Sequence, residues 1–350
     1  MISDKDDTAI VRMVARGIIE LGAVARLASF SMPYPRSAQL ALDKLVATLL
    51  ETPGSAPLSV PGLVDWARYR PLKDWPLSIP DDLLTGDDLL ISARTGNPSQ
   101  LCVEWAADRG ELERNALESL RRLADDCSTA DKYLRHLMFL VERPVVIEQE
   151  LLKLQDRRLL RVWHRVRDLY EPVPQRYVFR DAAALCSACR FLMVPAEGMG
   201  WVCETDDCAS YFPDGDVHAA DQLFSLPLGL RWFVAHPGRT ELALRGSLES
   251  RGAAIDHRHD HLVVTWQDDE SWVLMTRDRL NPALLARSIG ERAADLRADR
   301  VLVVVPGNRL VAQPDYREIF ARNLPTAAST AELVGDDELI DLASARSCRP

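Results

Sequence analysis

Apolar residues recur at three- and four-residue spacing from Thr8 to about Leu50: Ile10, Val11, Val14, Ile18, Ile19 and Leu21 make one stripe, and Leu40, Leu42, Leu45, Leu49 and Leu50 another. This is the period of an amphipathic helix, so two helices are expected, parted by Pro33 and Pro35. Residues 53 to 99 lose the period and are rich in Pro and Gly. Trp66 and Trp75 nevertheless mark a packed irregular segment, because tryptophan demands burial. A helical hairpin is expected next, from Ser99 through ELERNALESLRRLADD, whose charges read as a solvated face. Between 131 and 170 three short helices follow: DKYLRHLMFLVERP, stopped by Pro144, then VVIEQELLKL, then DRRLLRVWHRVRDLY.

The period changes after residue 217. HAADQLFSLPLGLRWFVA and GRTELALRGSLESRG read as helices, and HLVVTW and SWVLMTR as strands joined by the acidic turn QDDE. NPALLARSIGERAADLRADR is expected to be a helix, with Asn281 as N-cap and Pro282 at its first position. VLVVVP reads as a buried strand beside the hairpin, the order of an α/β domain. YREIFARNL reads as a further helix, followed by TAELVGDDELIDLASAR.

Four of the seven cysteines, Cys186, Cys189, Cys203 and Cys208, fall in one segment as a C-x2-C pair and a C-x4-C pair. Tetrahedral Zn²⁺ takes four thiolates at about 2.3 Å, and two short-spaced pairs on opposed turns supply them. Pro195, Gly198 and Gly200 suit turns in the arm, and Phe191, Met193 and Trp201 can cover the site, so a two-hairpin zinc ribbon is expected. With all four positions filled the zinc would be structural, since a catalytic zinc keeps one open for water. An iron–sulfur cluster or four unrelated buried thiols are the alternatives. Cys102, Cys127 and Cys348 are scattered and expected to stay reduced.

The chain is long enough for two or three domains, and its net charge of −10 argues against non-specific coating of nucleic acid. Any such surface must be a local patch. One exists at Lys153, Arg157, Arg158, Arg161, Arg165 and Arg167, set against only Asp156 and Asp168. Three short helices leading into the extended EPVPQRYVF resemble a winged helix-turn-helix, with Arg157, Arg158, Arg161 and Arg165 as nucleic-acid contacts, DNA above all. A helical connector whose arginines meet acidic neighbours is the alternative. MISDKDDTAI carries no secretory signal and no apolar run approaches the ~20 residues that span a bilayer, so a cytoplasmic protein without membrane partners is expected. His257, His259 and His261 alternate in DHRHDH and could share a strand face as zinc ligands, but an exposed hairpin edge explains them equally. PGNRL lacks the Gly-Lys-Ser/Thr of a phosphate loop, and there is no Gly-x-Ser-x-Gly elbow.

YLRHLMFLVERPVV, the YEPVP junction, the four cysteines and WVLMTRDRLNPALLA together resemble the restriction-endonuclease-like proteins that accompany PIWI-RE proteins, Argonaute relatives of bacterial defence islands that also carry a DinG-type helicase. The likeness covers roughly residues 130 to 310. With the elements read above, the expectation is an α+β multidomain chain: an N-terminal helical region (1–130), a winged-helix-like segment (131–180), a zinc ribbon (181–215) and, as the resemblance implies, a C-terminal α/β restriction-endonuclease-like domain (216–350). The resemblance also implies a PIWI-RE protein, a DinG-type helicase and DNA as partners. In such nucleases one strand opens with an acid and the next carries acid-x-Lys, which together hold Mg²⁺ and orient the attacking water. Asp260 fits the first acid and Glu241 an auxiliary helix acid. Met275, Thr276 and Arg277 stand where acid-x-Lys would be. Methionine does not ligate Mg²⁺, and arginine binds phosphate without serving as a base. The expectation is a nucleic-acid-recognising subunit with a degraded site, Arg277 being a catalytic remnant. An active nuclease recruiting Asp268, Asp269, Glu270 or Asp278, with Mg²⁺ as cofactor, and a protein-binding adaptor are the rivals.

Overall fold

The N-terminal stripes become α1 (Asp7–Val24) and α2 (Arg36–Leu49). Val11, Val14 and Ile18 on α1 and Ala41 and Leu45 on α2 are buried. Gly17 sets how near the helices come, since a Cβ there would stand 2.9 Å from the Ala38 Cα. The computed structural model describes residues 7–27, 29–50, 56–86, 88–153, 156–196, 200–205, 208, 215–258, 260–293, 296 and 298–347. Gly198, His259 and Cys348 lie outside them.

The Pro- and Gly-rich stretch is not wholly irregular: it contains α3 (Val60–Tyr69). Ser59 caps it, its hydroxyl accepting from Gly62 N at 3.2 Å, and Pro61 sits in the first turn. Trp75 is buried and donates its indole N–H to the Arg70 carbonyl at 3.0 Å, as the packed-segment reading requires.

The chain continues through α4 (Gln100–Ala107), α5 (Glu111–Asp125) and α6 (Ala130–Glu142) to β1 (Val145–Ile147), α7 (Glu148–Lys153), α8 (Arg157–Val166) and β2 (Glu171–Pro172). VVIEQELLKL therefore divides: the β-branched run after Pro144 is extended, and helix begins only at Glu148. Next come β3 (Ala182–Cys186), β4 (Leu192–Ala196), β5 (Gly200–Cys203), β6 (Gly215–Ala219) and β7 (Leu223–Ser225). The helix expected over His218–Ser225 is instead the end of β6, a single 3-10 turn at Ala220–Gln222 and β7. β6 pairs with β3 and β7 lies between β1 and β2, partners remote in sequence that override local propensity.

The C-terminal part runs through the short α9 (Leu228–Leu230), a π-helical turn over Arg231–Ala235, α10 (His236–Glu249), β8 (Ala254–His257), β9 (Leu262–Thr265) and β10 (Ser271–Thr276). It ends with α11 (Pro282–Ala293), β11 (Arg300–Val305), α12 (Gly307–Ala312), α13 (Tyr316–Asn323), β12 (Ala331–Gly335) and α14 (Asp336–Ser347). Asn281 caps α11 as expected, its side-chain oxygen accepting from Ala283 N and Leu284 N at 3.0 Å each.

These elements form two compact units. The first takes residues 1–108, 145–153 and 171–225, the second 109–144, 154–170 and 226–350. In the first, β1–β7–β2 make a three-stranded antiparallel sheet and β5–β4–β3–β6 a four-stranded one. The second is built on a five-stranded sheet in the order β12–β11–β10–β9–β8, with β10, β11 and β12 parallel and the β8–β9–β10 meander antiparallel. Successive residues of a strand face opposite layers. Trp272, Leu274, Leu302 and Val304 pack with Leu248 and Leu339, whereas Val273, Met275, Val303 and Val305 pack with Leu285, Ile289 and Phe320. This explains why VLVVV is apolar throughout. Among the described residues no helix is long and apolar enough to cross a membrane.

One charge on the supposedly solvated face of α5 is buried. Glu113 accepts from Arg279 at 2.6 Å and Arg292 at 3.0 Å. Burial pushes its carboxyl up, but the two guanidinium groups outweigh it and hold it at about 2, against an ordinary 4.5. A carboxyl depressed by folding stabilises above its unfolded value and loses that contribution as pH falls toward the folded one. At ~1.4 kcal/mol per pH unit this amounts to about 3 kcal/mol, lost between about pH 5 and 2. Urea denaturation of Glu113→Gln should show a loss of about 3 kcal/mol at pH 7 that narrows at pH 3; an equal deficit at both would refute it.

Candidate functional site

The cysteine cluster is built by strand pairing. β3 ends at Cys186, a tight turn closed by Arg190 in the left-handed region (φ 58°) presents Cys189, and the β4–β5 hairpin sets Cys203 opposite Met193. Cys208 completes the group, and all four Sγ atoms lie within 4.8 Å of one another. Cys186–Cys208 is 3.5 Å and Cys189–Cys203 is 3.3 Å. A tetrahedron with 2.3 Å metal–sulfur bonds has edges of about 3.8 Å, so the donor set fits a metal such as zinc. Crowding separates the thiols electrostatically. The hydrogen bond from Cys203 draws Cys189 down to about 5, and the same contact, with burial, pushes Cys203 up. Phe191 and Met193 are buried and Trp201 half-buried around the cluster. Two further residues support it that no cysteine spacing points to. Thr205 places its hydroxyl 3.2 Å from Cys203 Sγ, and Arg94 donates to the carbonyls of Cys203 at 3.2 Å and Thr205 at 3.0 Å. Nothing local marks Arg94, which lies over a hundred residues upstream.

Helix α8 has two faces. Asp156 caps it, accepting from Arg158 N at 2.8 Å and Leu159 N at 3.2 Å. Trp163 and Val166 are buried, the Trp163 ring meeting Tyr170 edge-on at 5.2 Å. The helical period then turns Arg157, Arg158, Arg161 and Arg165 to solvent, where all four are exposed. Arg165 is anchored to Asp126 at 3.5 Å. Among the described residues no carboxylate lies within ion-pair distance of Arg157, Arg158 or Arg161.

At the end of β10 the structure gathers Asp260, Glu241, His257, Thr276 and Arg277 around one pocket. Glu241 lies 2.7 Å from His257 Nε2, and Asp260 2.7 Å from His261 Nδ1. Arg277 is buried and donates to two carbonyls, Thr276 at 2.8 Å and Asp260 at 3.2 Å. Burial, and then Arg292, lower its proton affinity, while Glu113, Asp260 and Glu241 counter them. Met275 is on the other side of the strand, in the core with Val303 and Leu285. The β9–β10 register pairs Leu262 with Leu274, so Thr276, not Met275, follows toward Asp260.

The other acids are engaged elsewhere. Asp278 is held by Arg309 at 2.7 Å and His236 at 3.1 Å; burial raises its carboxyl, but these partners bring it well below the usual range. Asp268 and Glu270 pair with Arg346, and Asp269 forms the turn with φ 63°. His257 ends β8 and His261 precedes β9, each bound to its own carboxylate. Among the described residues the four cysteines are the one group of three or more histidine, cysteine or carboxylate donors close enough to hold a single ion.

Residues 10–147 match the family model described as pPIWI_RE three-gene island domain Y, and residues 238–349 match that described as REase associating with pPIWI_RE. The second match begins in α10 and takes in the whole five-stranded sheet. No curated protein and no solved structure matches the chain.

Proposed function

We propose that this chain, a PIWI-RE-associated restriction-endonuclease-like protein, recognises DNA for a PIWI-RE anti-invader defence system and no longer cleaves it. The observation that carries the reading is the outward row of Arg157, Arg158 and Arg161, exposed and, among the described residues, outside ion-pair distance of any carboxylate, with only Asp156 acting on Arg158 and Arg161 from the helix start, in a chain of net charge −10. Solvated arginines on one helix face, braced from behind by Trp163, are what phosphate contact requires. In chain order α8 follows α6, β1 and α7, and we assign it as the reading helix of a winged-helix-like segment. Between β2 and β7 in the chain stand the four cysteines, which we assign to a zinc ribbon with one structural zinc. A PIWI-RE protein and a DinG-type helicase are the partners we assign from the family.

The loss of cleavage follows from donor chemistry. Mg²⁺ needs two or more oxygen ligands beside the scissile phosphate. Asp260 and Glu241 line the same pocket but each holds a histidine at 2.7 Å, Met275 faces the core, and Asp278 is committed to Arg309 and His236. Labelled duplex DNA should raise fluorescence anisotropy on titration with protein and remain intact in Mg²⁺ or Mn²⁺. Cleavage abolished by Asp260→Ala would establish the active-nuclease alternative. Absence of binding at any concentration would favour the adaptor.

A further inference from the structure

Phe179 stands in solvent at the turn into β3. Its backbone pairs with Ala182 in both directions, Phe179 N to the Ala182 carbonyl at 2.8 Å and Ala182 N to the Phe179 carbonyl at 3.0 Å, so Arg180 and Asp181 alone make the tip. Both tip residues are left-handed, with φ 49° and 59°. A two-residue tip of this kind ordinarily takes Asn-Gly or Gly-Gly, because a residue with a Cβ is strained at positive φ. A strained arginine where glycine would be relaxed is a side chain kept for what it touches.

What it touches is a ring. The Arg180 guanidinium carbon lies 5.1 Å from the Phe179 ring centroid, and that of Arg26, just past α1, also lies 5.1 Å from it. Arg26 is fixed there by donating to the Val178 carbonyl, which leaves it further N–H groups, since a guanidinium has five. The ring is not closed off by its neighbours, for Phe179 remains 44% exposed. The same end of α1 carries a second pair. Arg68 of α3 donates to the Leu27 carbonyl at 3.2 Å and lies 5.8 Å from the ring centroid of Tyr69, which is 72% exposed. Among the described residues no carboxylate lies within ion-pair distance of Arg26, Arg68 or Arg180, in a chain whose net charge is −10.

Guanidinium groups without carboxylates call for an anion, and open rings beside them call for a flat face. An acidic peptide supplies the first without the second, and a duplex keeps its base faces inside its own stack. An unpaired strand supplies both, its phosphates accepting from arginine while its bases stack on aromatic rings and guanidinium planes. We infer that this end of α1 binds single-stranded DNA, with bases stacked on Phe179 and Tyr69 and phosphates held by Arg26, Arg68 and Arg180. The site shares no residue with α8, and only the choice of DNA over RNA rests on the function proposed above.

Fluorescence anisotropy of the full chain with a labelled oligothymidylate of about 12 nucleotides, against an abasic strand of the same length, separates stacking from charge. The wild type should bind the base-bearing strand about tenfold more tightly or better. Phe179→Ala should remove most of that margin without changing the abasic affinity, and Phe179→Trp should keep it. Tyr69→Ala should act in the same direction. Arg180→Gly should raise the melting temperature by relieving the tip, while it weakens strand binding and lowers the log–log salt slope by about 0.7. Equal affinity of the wild type for the two strands, or undiminished binding by Phe179→Ala, overturns the proposal. Tighter binding of an RNA strand of matching sequence than of DNA overturns the assignment to DNA. Phe179→Ala should leave duplex affinity unchanged, so failure here is separate from failure of the α8 reading, and an equal loss on duplex and strand would also overturn the site.

Discussion

Purified protein should carry about one zinc per chain, and Cys186→Ser or Cys208→Ser should lose the metal together with the folded state of the surrounding sheet. Structural zinc contributes an apparent ~10–16 kcal/mol in small zinc-binding peptides, as much as the ~5–15 kcal/mol that holds a whole domain. The sheet is short of other support. Its strands are four or five residues long, and Cys186 and Cys203 themselves belong to the buried cluster with Ala184 and Met193. Without metal, four sulfurs separated by as little as 3.3 Å cannot all ionise, and burial penalises those that do. Metal analysis, with hydrogen exchange over residues 182–205, measures the effect. A metal-free protein with unchanged melting temperature and protection would refute the zinc assignment.

Replacing Arg157, Arg158, Arg161 and Arg165 together by Gln should weaken DNA binding on the order of 10²–10³-fold at moderate salt and flatten its salt dependence. Every duplex phosphate that an arginine ceases to neutralise lowers the log–log slope by about 0.9, because its counterion is no longer released. Arg165 is expected to give least, because Asp126 already holds it at 3.5 Å. The fold should be unaffected, since all four side chains are exposed and the face that packs is Trp163 and Val166. Binding unchanged at every salt concentration would remove α8 from the interface.

What can be read from sequence alone are features carried by neighbouring residues. The stripes of α1 and α2, the Asn281-Pro282 helix start and the apolar run of β11 are local signals and become those elements. The cysteine spacing works for the same reason, because two short-range pairs need only one hairpin to meet. Where long-range pairing decides, the reading fails. His218–Ser225 looks helical, but β6 and β7 take their conformation from β3, β1 and β2. Glu113 looks solvated because its partners Arg279 and Arg292 lie over 150 residues away. Arg94 is invisible for the same reason. At the β10 site Asp260, Glu241 and Arg277 line one pocket, but Met275 faces the core. Taking residue 275 as the position beside Asp260 is one residue out of step with the pleat, and in a strand that exchanges a pocket residue for a core residue. Ser59 and Pro61 show the opposite failure, a legible helix start inside a stretch that composition marks as irregular.

Holding DNA without cutting it is the behaviour proposed for this chain. One incubation of wild-type protein with end-labelled duplex in Mg²⁺, divided between a native and a denaturing gel, measures both halves at once. A retarded band on the native gel and full-length strands on the denaturing one are expected. Unretarded DNA, or fragments that disappear with Asp260→Ala, would contradict it.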